Sequence, residues 1–225
     1  MGIQNNIAKF SALLAPYHAR LIAVSKTHPV VRINEAYAAG QRLFGENKVQ
    51  EMVDKQPQLP ADVEWHLIGH LQRNKVKYIA PFVALIHAVD SLRLLEEINR
   101  QGEKCGRVIP CLLQVFIATE ETKFGLDPAE ARQLVTSPEL AAMKHVRIDG
   151  LMGMASLTKK QDQVRREFRT LKNLFQELKG MPLPPNAQMK ELSMGMSSDY
   201  TIALEEGSTL VRIGTAIFGE REVKP

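Results

Sequence analysis

The residues most able to do chemistry follow predicted strands at two distant places in the chain. Lys26 closes the apolar run of residues 21–24, in the string Ala-Val-Ser-Lys-Thr-His. Most lysines lie on polar surfaces, so a lysine at the end of a buried strand needs a reason. One reason is Schiff-base chemistry, in which a partly desolvated amine bonds to an aldehyde. The other is a lysine that ends the strand and extends its amine to water. The position of Lys26 alone leaves both explanations open.

Two segments near the C-terminal end have residues suited to an anion. Gly214 and Thr215 follow the last predicted strand and can bring backbone N–H groups and a hydroxyl to a ligand. Ser197 and Ser198 precede a predicted helix over residues 200–206, and a helix N-terminus favours negative charge. Serine also caps helices that bind no ligand. Two such loops in succession nevertheless favour a phosphate site.

Short apolar runs typical of buried strands alternate with helical patterns and would position these residues. Eight strands in such an alternation predict an α/β fold, a single (β/α)8 TIM barrel over residues 1–225, with a doubly wound sheet as the alternative. The C-terminal ends of parallel strands share one face, so Lys26 and the two loops would meet there. The predicted strands cover residues 20–25, 42–46, 63–69, 84–90, 109–117, 146–152, 191–195 and 210–213, and the clearest helices cover residues 30–40, 91–102 and 161–180.

Composition narrows the class of protein. The chain has 225 residues, of which 44% are hydrophobic and 24% are charged, and its net charge is +4. Its basic residues are scattered, which argues against nucleic-acid binding, and no apolar run reaches the roughly 18 residues of a membrane span. Two cysteines and an N-terminus without a signal-peptide pattern predict a reduced, cytoplasmic protein. His66 and His70 lack a third nearby ligand, so we expect no metal site.

Five strings carry a resemblance to a known family. They are Leu-Ile-Ala-Val-Ser-Lys-Thr, Phe-Gly-Glu-Asn-Lys-Val-Gln-Glu, Glu-Trp-His-Leu-Ile-Gly-His-Leu-Gln-Arg-Asn-Lys, Leu-Ser-Met-Gly-Met-Ser-Ser-Asp and Val-Arg-Ile-Gly-Thr-Ala-Ile-Phe-Gly, in this order between residues 21 and 219. With them, the chain closely resembles the pyridoxal phosphate homeostasis proteins. The resemblance implies a barrel of the alanine racemase N-terminal type without that enzyme's second domain. It also implies pyridoxal 5′-phosphate (PLP) as cofactor.

The resemblance also implies roles for individual residues. Lys26 matches the lysine that forms the internal aldimine, and Arg212 matches an arginine that faces the pyridine nitrogen. Met152 is an alternative to Met154 beside the ring. Lys123 could contact a substrate carboxylate or a second PLP molecule, or be a surface lysine. The cofactor-binding residues expected from the resemblance are Lys26, Asn47, His66, Met154, Ser197, Arg212, Gly214 and Thr215.

This set of residues predicts a cofactor-holding protein with little or no catalysis. An arginine cannot accept the proton that makes the pyridine ring an electron sink, so Arg212 would leave that sink weak. None of the four tyrosines lies in a recognisable strand-end motif, and no second base is evident. We expect a monomer that acts in vitamin B6 homeostasis, with apo PLP-dependent enzymes as possible recipients. The alternatives are a single-domain PLP-dependent amino-acid racemase, a phosphate-sugar barrel enzyme with Lys26 as base, and a nucleic-acid binder.

Overall fold

Eight parallel strands form a closed barrel in which spatial neighbours follow chain order. The computed structural model describes residues 2–119 and 125–220. The last strand pairs with the first, in a register that sets Ile22 beside Arg212. This closure confirms the predicted (β/α)8 barrel and excludes the doubly wound sheet. The strands are β1 (Arg20–Val24), β2 (Leu43–Glu46), β3 (Glu64–Leu67), β4 (Leu85–Val89), β5 (Ile109–Gln114), β6 (Val146–Met152), β7 (Ala187–Met196) and β8 (Leu210–Ile213).

Helices surround the barrel and return the chain to the start of each next strand. They are α1 (Ile3–Leu14), α2 (Val30–Ala38), α3 (Val49–Lys55), α4 (Val76–Ile79), α5 (Leu92–Cys105), α6 (Pro128–Val135), α7 (Pro138–Ala142), α8 (Gln161–Lys179), α9 (Tyr200–Glu205) and α10 (Thr215–Phe218), with 3-10 turns at Ala15–Tyr17, Gln56–Gln58 and Arg73–Lys75. Asp127 and Glu130 form a capping box at the start of α6. Within the described residues, no helix combines the length and apolarity needed to cross a membrane.

Strand residues alternate between two cores. Outward-facing side chains pack against the helices in a large apolar cluster, where Phe44 and Trp65 lie with ring centroids 6.3 Å apart. Trp65 is therefore part of the core. Inward-facing side chains fill the barrel, as expected for this fold. The apolar members of this inner cluster are Ile22, Leu85, Ala88, Leu112, Met152 and Leu210.

The main differences from the sequence prediction concern short elements. Helices α3, α4, α7 and α10 were not predicted, because segments of four to seven residues contain too few apolar repeats to define a helical period. β5 ends at Gln114 rather than at residue 117, since the next residue, Val115, makes only an isolated bridge to Leu126. β7 is longer than predicted and shifts register against β8. Its polar first half, residues 187–191, hides that extension from a hydrophobicity pattern.

Candidate functional site

A cavity of about 330 Å³ lies at the C-terminal end of the barrel. Barrels of this class bind their ligands at this end, and the volume falls within the range of about 300–1,000 Å³ that small-ligand sites span. Its walls come from the ends of six strands. The lining residues are Val24, Lys26 and His28 after or at the end of β1, Asn47 after β2, Ile68 after β3, Met154 after β6, Met196, Ser197 and Ser198 at β7, and Arg212, Gly214 and Thr215 at β8.

The structure brings seven of the eight predicted binding residues to this one cavity. They are Lys26, Asn47, Met154, Ser197, Arg212, Gly214 and Thr215. Met152 belongs to the inner cluster of the barrel, so of the two methionines proposed beside the ring it is Met154 that lines the cavity. Lys123 lies outside the described residues. The prediction missed Val24, His28, Ile68 and Met196 as lining residues, although each stands at a strand end or within a few residues of one, and Ser198, considered beside Ser197 for an anion, also lines the cavity.

The eighth predicted binding residue, His66, is not among the residues that line the cavity. His66 lies within β3, and its side chain is buried inside the barrel. Its Nδ1 lies 2.9 Å from Nε2 of His87. Burial lowers the pKa of His66 to about 3, with the charge of Arg20 acting in the same direction. His66 is therefore a neutral interior residue and not a wall of the site.

Lys26 stands in a tight connection between β1 and α2. β1 ends at Val24, and the N–H of Ser25 still donates to the carbonyl of Gly45 on the neighbouring strand, at 3.0 Å. The N–H of His28 then donates back to the carbonyl of Ser25 at 3.1 Å, which closes a turn around Lys26. The Lys26 side chain is half-buried and lines the cavity. The end of β1 therefore places the primary amine of Lys26 at the cavity, on the barrel face where the sequence predicts it.

Two further loops, after β7 and after β8, supply polar groups to the cavity. Thr215 is the first residue of α10, so its N–H is one of the first-turn donors that have no intrahelical partner. Ser197 and Ser198 line the cavity but do not cap α9, since Asp199 occupies the position before that helix. The Asp199 carboxylate accepts from the N–H of Met196 at 2.6 Å and fixes the serine loop. Hydroxyl and N–H donors thus converge where an anion would be stabilised.

Arg212 places a buried positive charge in the wall of the cavity. Its Nη1 donates to Oγ of Ser193 at 2.5 Å, and its Nη2 donates to the carbonyl of Gly153 at 3.2 Å. Burial lowers the pKa of Arg212 to about 10, and the Asp199 carboxylate opposes that shift. The guanidinium therefore remains protonated at neutral pH, with its donors fixed by two interior acceptors.

A chain of hydrogen bonds connects Arg212 with the barrel interior. Ser193 Oγ lies 3.0 Å from Nδ1 of His87, whose other ring nitrogen faces His66. Burial holds the pKa of His87 well below its usual range, and the nearby His66 and Arg212 act in the same direction. Both histidines are consequently neutral. Sequence reasoning missed His87, which lies inside an apolar strand with no motif around it, and gave no role to Ser193, although Ser193 belongs to the string Leu-Ser-Met-Gly-Met-Ser-Ser-Asp.

A glycine permits the close approach that positions Asn47. A Cβ atom on Gly69 would lie 2.4 Å from the backbone oxygen of Asn47, closer than any real contact. The loop after β3 can therefore pass directly against the loop after β2 only because residue 69 has no side chain. Within the described residues, no group of three or more His, Cys, Asp or Glu side chains could hold a metal ion.

Comparison with known proteins identifies the family. The alanine racemase N-terminal domain model matches residues 2–222. The pyridoxal phosphate homeostasis protein of Aquifex aeolicus is 41% identical over 205 residues, which cover 91% of this chain and 88% of the relative. The chain belongs to the pyridoxal phosphate homeostasis protein family. The family membership agrees with the resemblance that the five sequence strings carry.

Two solved structures of PipY from Synechococcus elongatus share the fold. The structure without PLP superposes with a TM-score of 0.89 at 41% identity and covers 96% of this chain and all of PipY. The structure described as having PLP bound superposes with a TM-score of 0.86 at 40% identity, with the same coverage. PipY, which is 40% identical to this chain and shares its barrel, therefore binds PLP.

Proposed function

We propose that this protein binds PLP in the cavity at the C-terminal end of the barrel and acts in PLP homeostasis. The observation that carries the proposal is one cavity of about 330 Å³ with a primary amine, a guanidinium and hydroxyl donors in its walls, from Lys26, Arg212, Ser197 and Thr215. PLP is a phosphorylated aldehyde on a pyridine ring, so each of these groups has a complementary part of the ligand. The PLP-bound structure of the related PipY supports the same conclusion.

We assign the covalent attachment to Lys26. Its amine nitrogen would form a carbon–nitrogen double bond with the aldehyde carbon, and the aldehyde oxygen would leave as water. Ser197, Gly214 and Thr215 would hold the phosphate through hydroxyl and backbone N–H donors. Asn47 would lie beside the ring with Met154. These roles agree with the position of all six residues around the same cavity.

Arg212 supports a holding role rather than a catalytic one. A guanidinium has five N–H donors and no acceptor. Arg212 therefore cannot accept a hydrogen bond from a protonated pyridine nitrogen that it faces, and that nitrogen stays unprotonated. PLP supplies an electron sink to enzymes that form carbanions, and that sink is strongest when the nitrogen is protonated. Ser193 and Gly153 fix the donors of Arg212 and oppose its movement away from the ring. We therefore propose that the protein performs little or no turnover.

The tyrosines provide a second argument against racemase activity. All four lie within the described residues, and none lines the cavity. Tyr200 packs edge-on against Phe10 at 5.5 Å, and the Tyr37 hydroxyl donates to Asp62 at 2.7 Å. Racemisation of an amino acid needs an acid or base on each face of the α-carbon. No tyrosine is in a place to provide one.

The alternative, a single-domain amino-acid racemase, is favoured by one observation. His28 lines the cavity beside Lys26, and its ring stacks on Phe218 with centroids 4.9 Å apart. A histidine at this place could act as the second acid or base. Racemisation of alanine at ordinary enzyme rates by the pure protein, lost in His28→Ala, would establish this function. If the wild-type protein racemises alanine only at a trace rate, the result supports the holding role.

Absorption spectroscopy with purified protein and added PLP tests the proposed function. We expect wild type to develop the visible absorption band of a protonated Schiff base, and Lys26→Ala to bind PLP more weakly without that band. Lys104→Ala, an exposed lysine on α5, is the matched control and should behave as wild type. A full Schiff-base band in Lys26→Ala would exclude Lys26 as the attachment residue.

Transfer of the bound cofactor is the second part of the proposal. The cavity opens at the C-terminal end of the barrel, where loops after the strands surround it. PLP-loaded protein mixed with an apo PLP-dependent enzyme should restore that enzyme's activity, and we propose that the protein does this as a monomer. Sedimentation of the PLP-loaded protein during transfer measures its mass, which tests whether it is a monomer. Reactivation no faster than with free PLP at the same concentration would refute a delivery role.

A further inference from the structure

A buried ion cluster lies beneath the turn that carries Lys26. It consists of Glu46 at the end of β2 with Glu51 and Lys55 on α3. Lys55 Nζ lies 2.8 Å from Oε1 of Glu46 and 2.6 Å from Oε1 of Glu51. The side chain of Lys55 is 8% exposed and that of Glu46 is fully buried. Buried ion pairs add little net stability, because desolvation offsets their attraction, so this cluster needs another explanation.

The cluster is bonded to the residues on both sides of Lys26. Lys55 Nζ donates to the carbonyl of Ser25 at 2.9 Å, and the Ser25 hydroxyl donates to Oε1 of Glu46 at 2.7 Å. The N–H of Thr27 donates to Oε1 of Glu51 at 2.5 Å. The backbone is therefore fixed one residue before Lys26 and one residue after it.

The turn has a conformation that its sequence does not favour. Thr27 has a φ of +68°, in the left-handed region that β-branched residues rarely adopt. Such a conformation persists only where the surroundings hold it. The contact between the Thr27 N–H and Glu51 is the interaction that the structure provides at this residue.

Glu46, Glu51 and Lys55 act at a distance from the cavity. None of them lines it, and each reaches it only through Ser25 or Thr27. We infer that this cluster positions Lys26, by holding the turn in the conformation that directs the amine toward the aldehyde of the ligand. The inference rests on the proposed function and adds Glu46, Glu51 and Lys55 as positioning residues.

Glu51→Ala tests the inference with the least damage to the fold. Its side chain is 23% exposed, and its removal leaves the bonds of Lys55 to Glu46 and Ser25 intact. We expect Schiff-base formation with PLP to slow by about ten- to a hundredfold, the effect of a small misplacement of a reacting group. Binding of pyridoxine 5′-phosphate, which has the same ring and phosphate but no aldehyde, should change less than about twofold, because the residues assigned to its ring and phosphate lie outside the turn.

Three further variants separate positioning from structural damage. Asp54→Ala, on the exposed side of α3, is the matched control and should form the Schiff base as wild type does. Glu51→Gln retains an acceptor for the Thr27 N–H, so it should lose less than Glu51→Ala, and it replaces that variant if alanine prevents folding. Thr27→Asn in the Glu51→Ala background should restore part of the rate, because asparagine adopts a positive φ readily.

The outcomes distinguish this inference from the proposed function. A wild-type protein that does not bind PLP would overturn both, and one that binds PLP without a Schiff base would overturn the inference and the covalent attachment to Lys26. Normal Schiff-base formation in folded Glu51→Ala would overturn the inference alone. So would an equal loss of pyridoxine 5′-phosphate binding, which indicates general damage to the site, and so would an absence of rescue by Thr27→Asn. A selective loss with rescue supports the inference.

Discussion

Acid should destabilise this protein through His66, and the sign follows from burial. His66 is buried inside the barrel, and its pKa falls to about 3 from the ordinary 6.5 because the charged form is poorly solvated there. Between these two values the unfolded chain binds a proton that the folded chain does not. The contribution of His66 to stability is therefore fully present above about pH 6.5 and is lost as the pH falls from there toward 3.

The size of the His66 contribution to the free energy of unfolding depends on how far the experimental pH lies below the pKa of His66 in the unfolded chain. At about pH 5, an unfolded histidine lies about 1.5 units below its pKa, and each unit corresponds to about 1.4 kcal/mol. His66 should therefore reduce the free energy of unfolding by about 2 kcal/mol at pH 5 relative to pH 7. This is a large fraction of the stability of an ordinary domain.

Urea unfolding of wild type and His66→Asn at the two pH values measures this contribution. The asparagine amide can still bond to His87 but does not titrate. The smaller side chain lowers stability equally at both values, so only the pH dependence is compared. The loss between pH 7 and pH 5 should be about 2 kcal/mol smaller in His66→Asn than in wild type. His70→Asn, at an exposed histidine, is the control. Equal losses in wild type and His66→Asn would refute a neutral, buried His66.

Two further predictions concern the site directly. Arg212→Glu should place an acceptor opposite the pyridine nitrogen, hold a proton there and shift the absorption spectrum of the bound cofactor; an unchanged spectrum in the folded variant would contradict the position assigned to Arg212. Gly69→Ala should force the loop after β3 away from the Asn47 backbone, lower the melting temperature through an overpacking cost of about 1–3 kcal/mol, and weaken PLP binding. Unchanged melting and binding would show that the two loops separate without cost.

The sequence predicted the barrel because its strands are apolar and regularly spaced. Barrel geometry then brings the carboxyl ends of all strands together, so Lys26 and Thr215 could be assigned to one site although they lie 189 positions apart in the chain. That reasoning applies to residues at strand ends. It does not apply to His66, which lies within β3, where side chains face either the inner or the outer core.

The ion cluster beneath the Lys26 turn was not predicted, for a different reason. Glu51 and Lys55 are four residues apart, a spacing that in most helices forms an exposed pair. The sequence predicts that β2 ends at Glu46, but it has no pattern for the tight turn after β1, on which the burial of Lys55 also depends. The positive φ of Thr27 is also a product of tertiary contacts, since threonine is not a residue that favours it.

Borohydride reduction of the PLP-incubated protein, followed by peptide mass spectrometry, tests the central claim most directly. Reduction converts a Schiff base into a stable amine, so the attached lysine retains the cofactor through digestion. The account predicts a single phosphopyridoxyl adduct on the peptide that contains Lys26, in nearly all of the protein. An adduct on another lysine with Lys26 unmodified, or no adduct in protein that binds PLP, would contradict it.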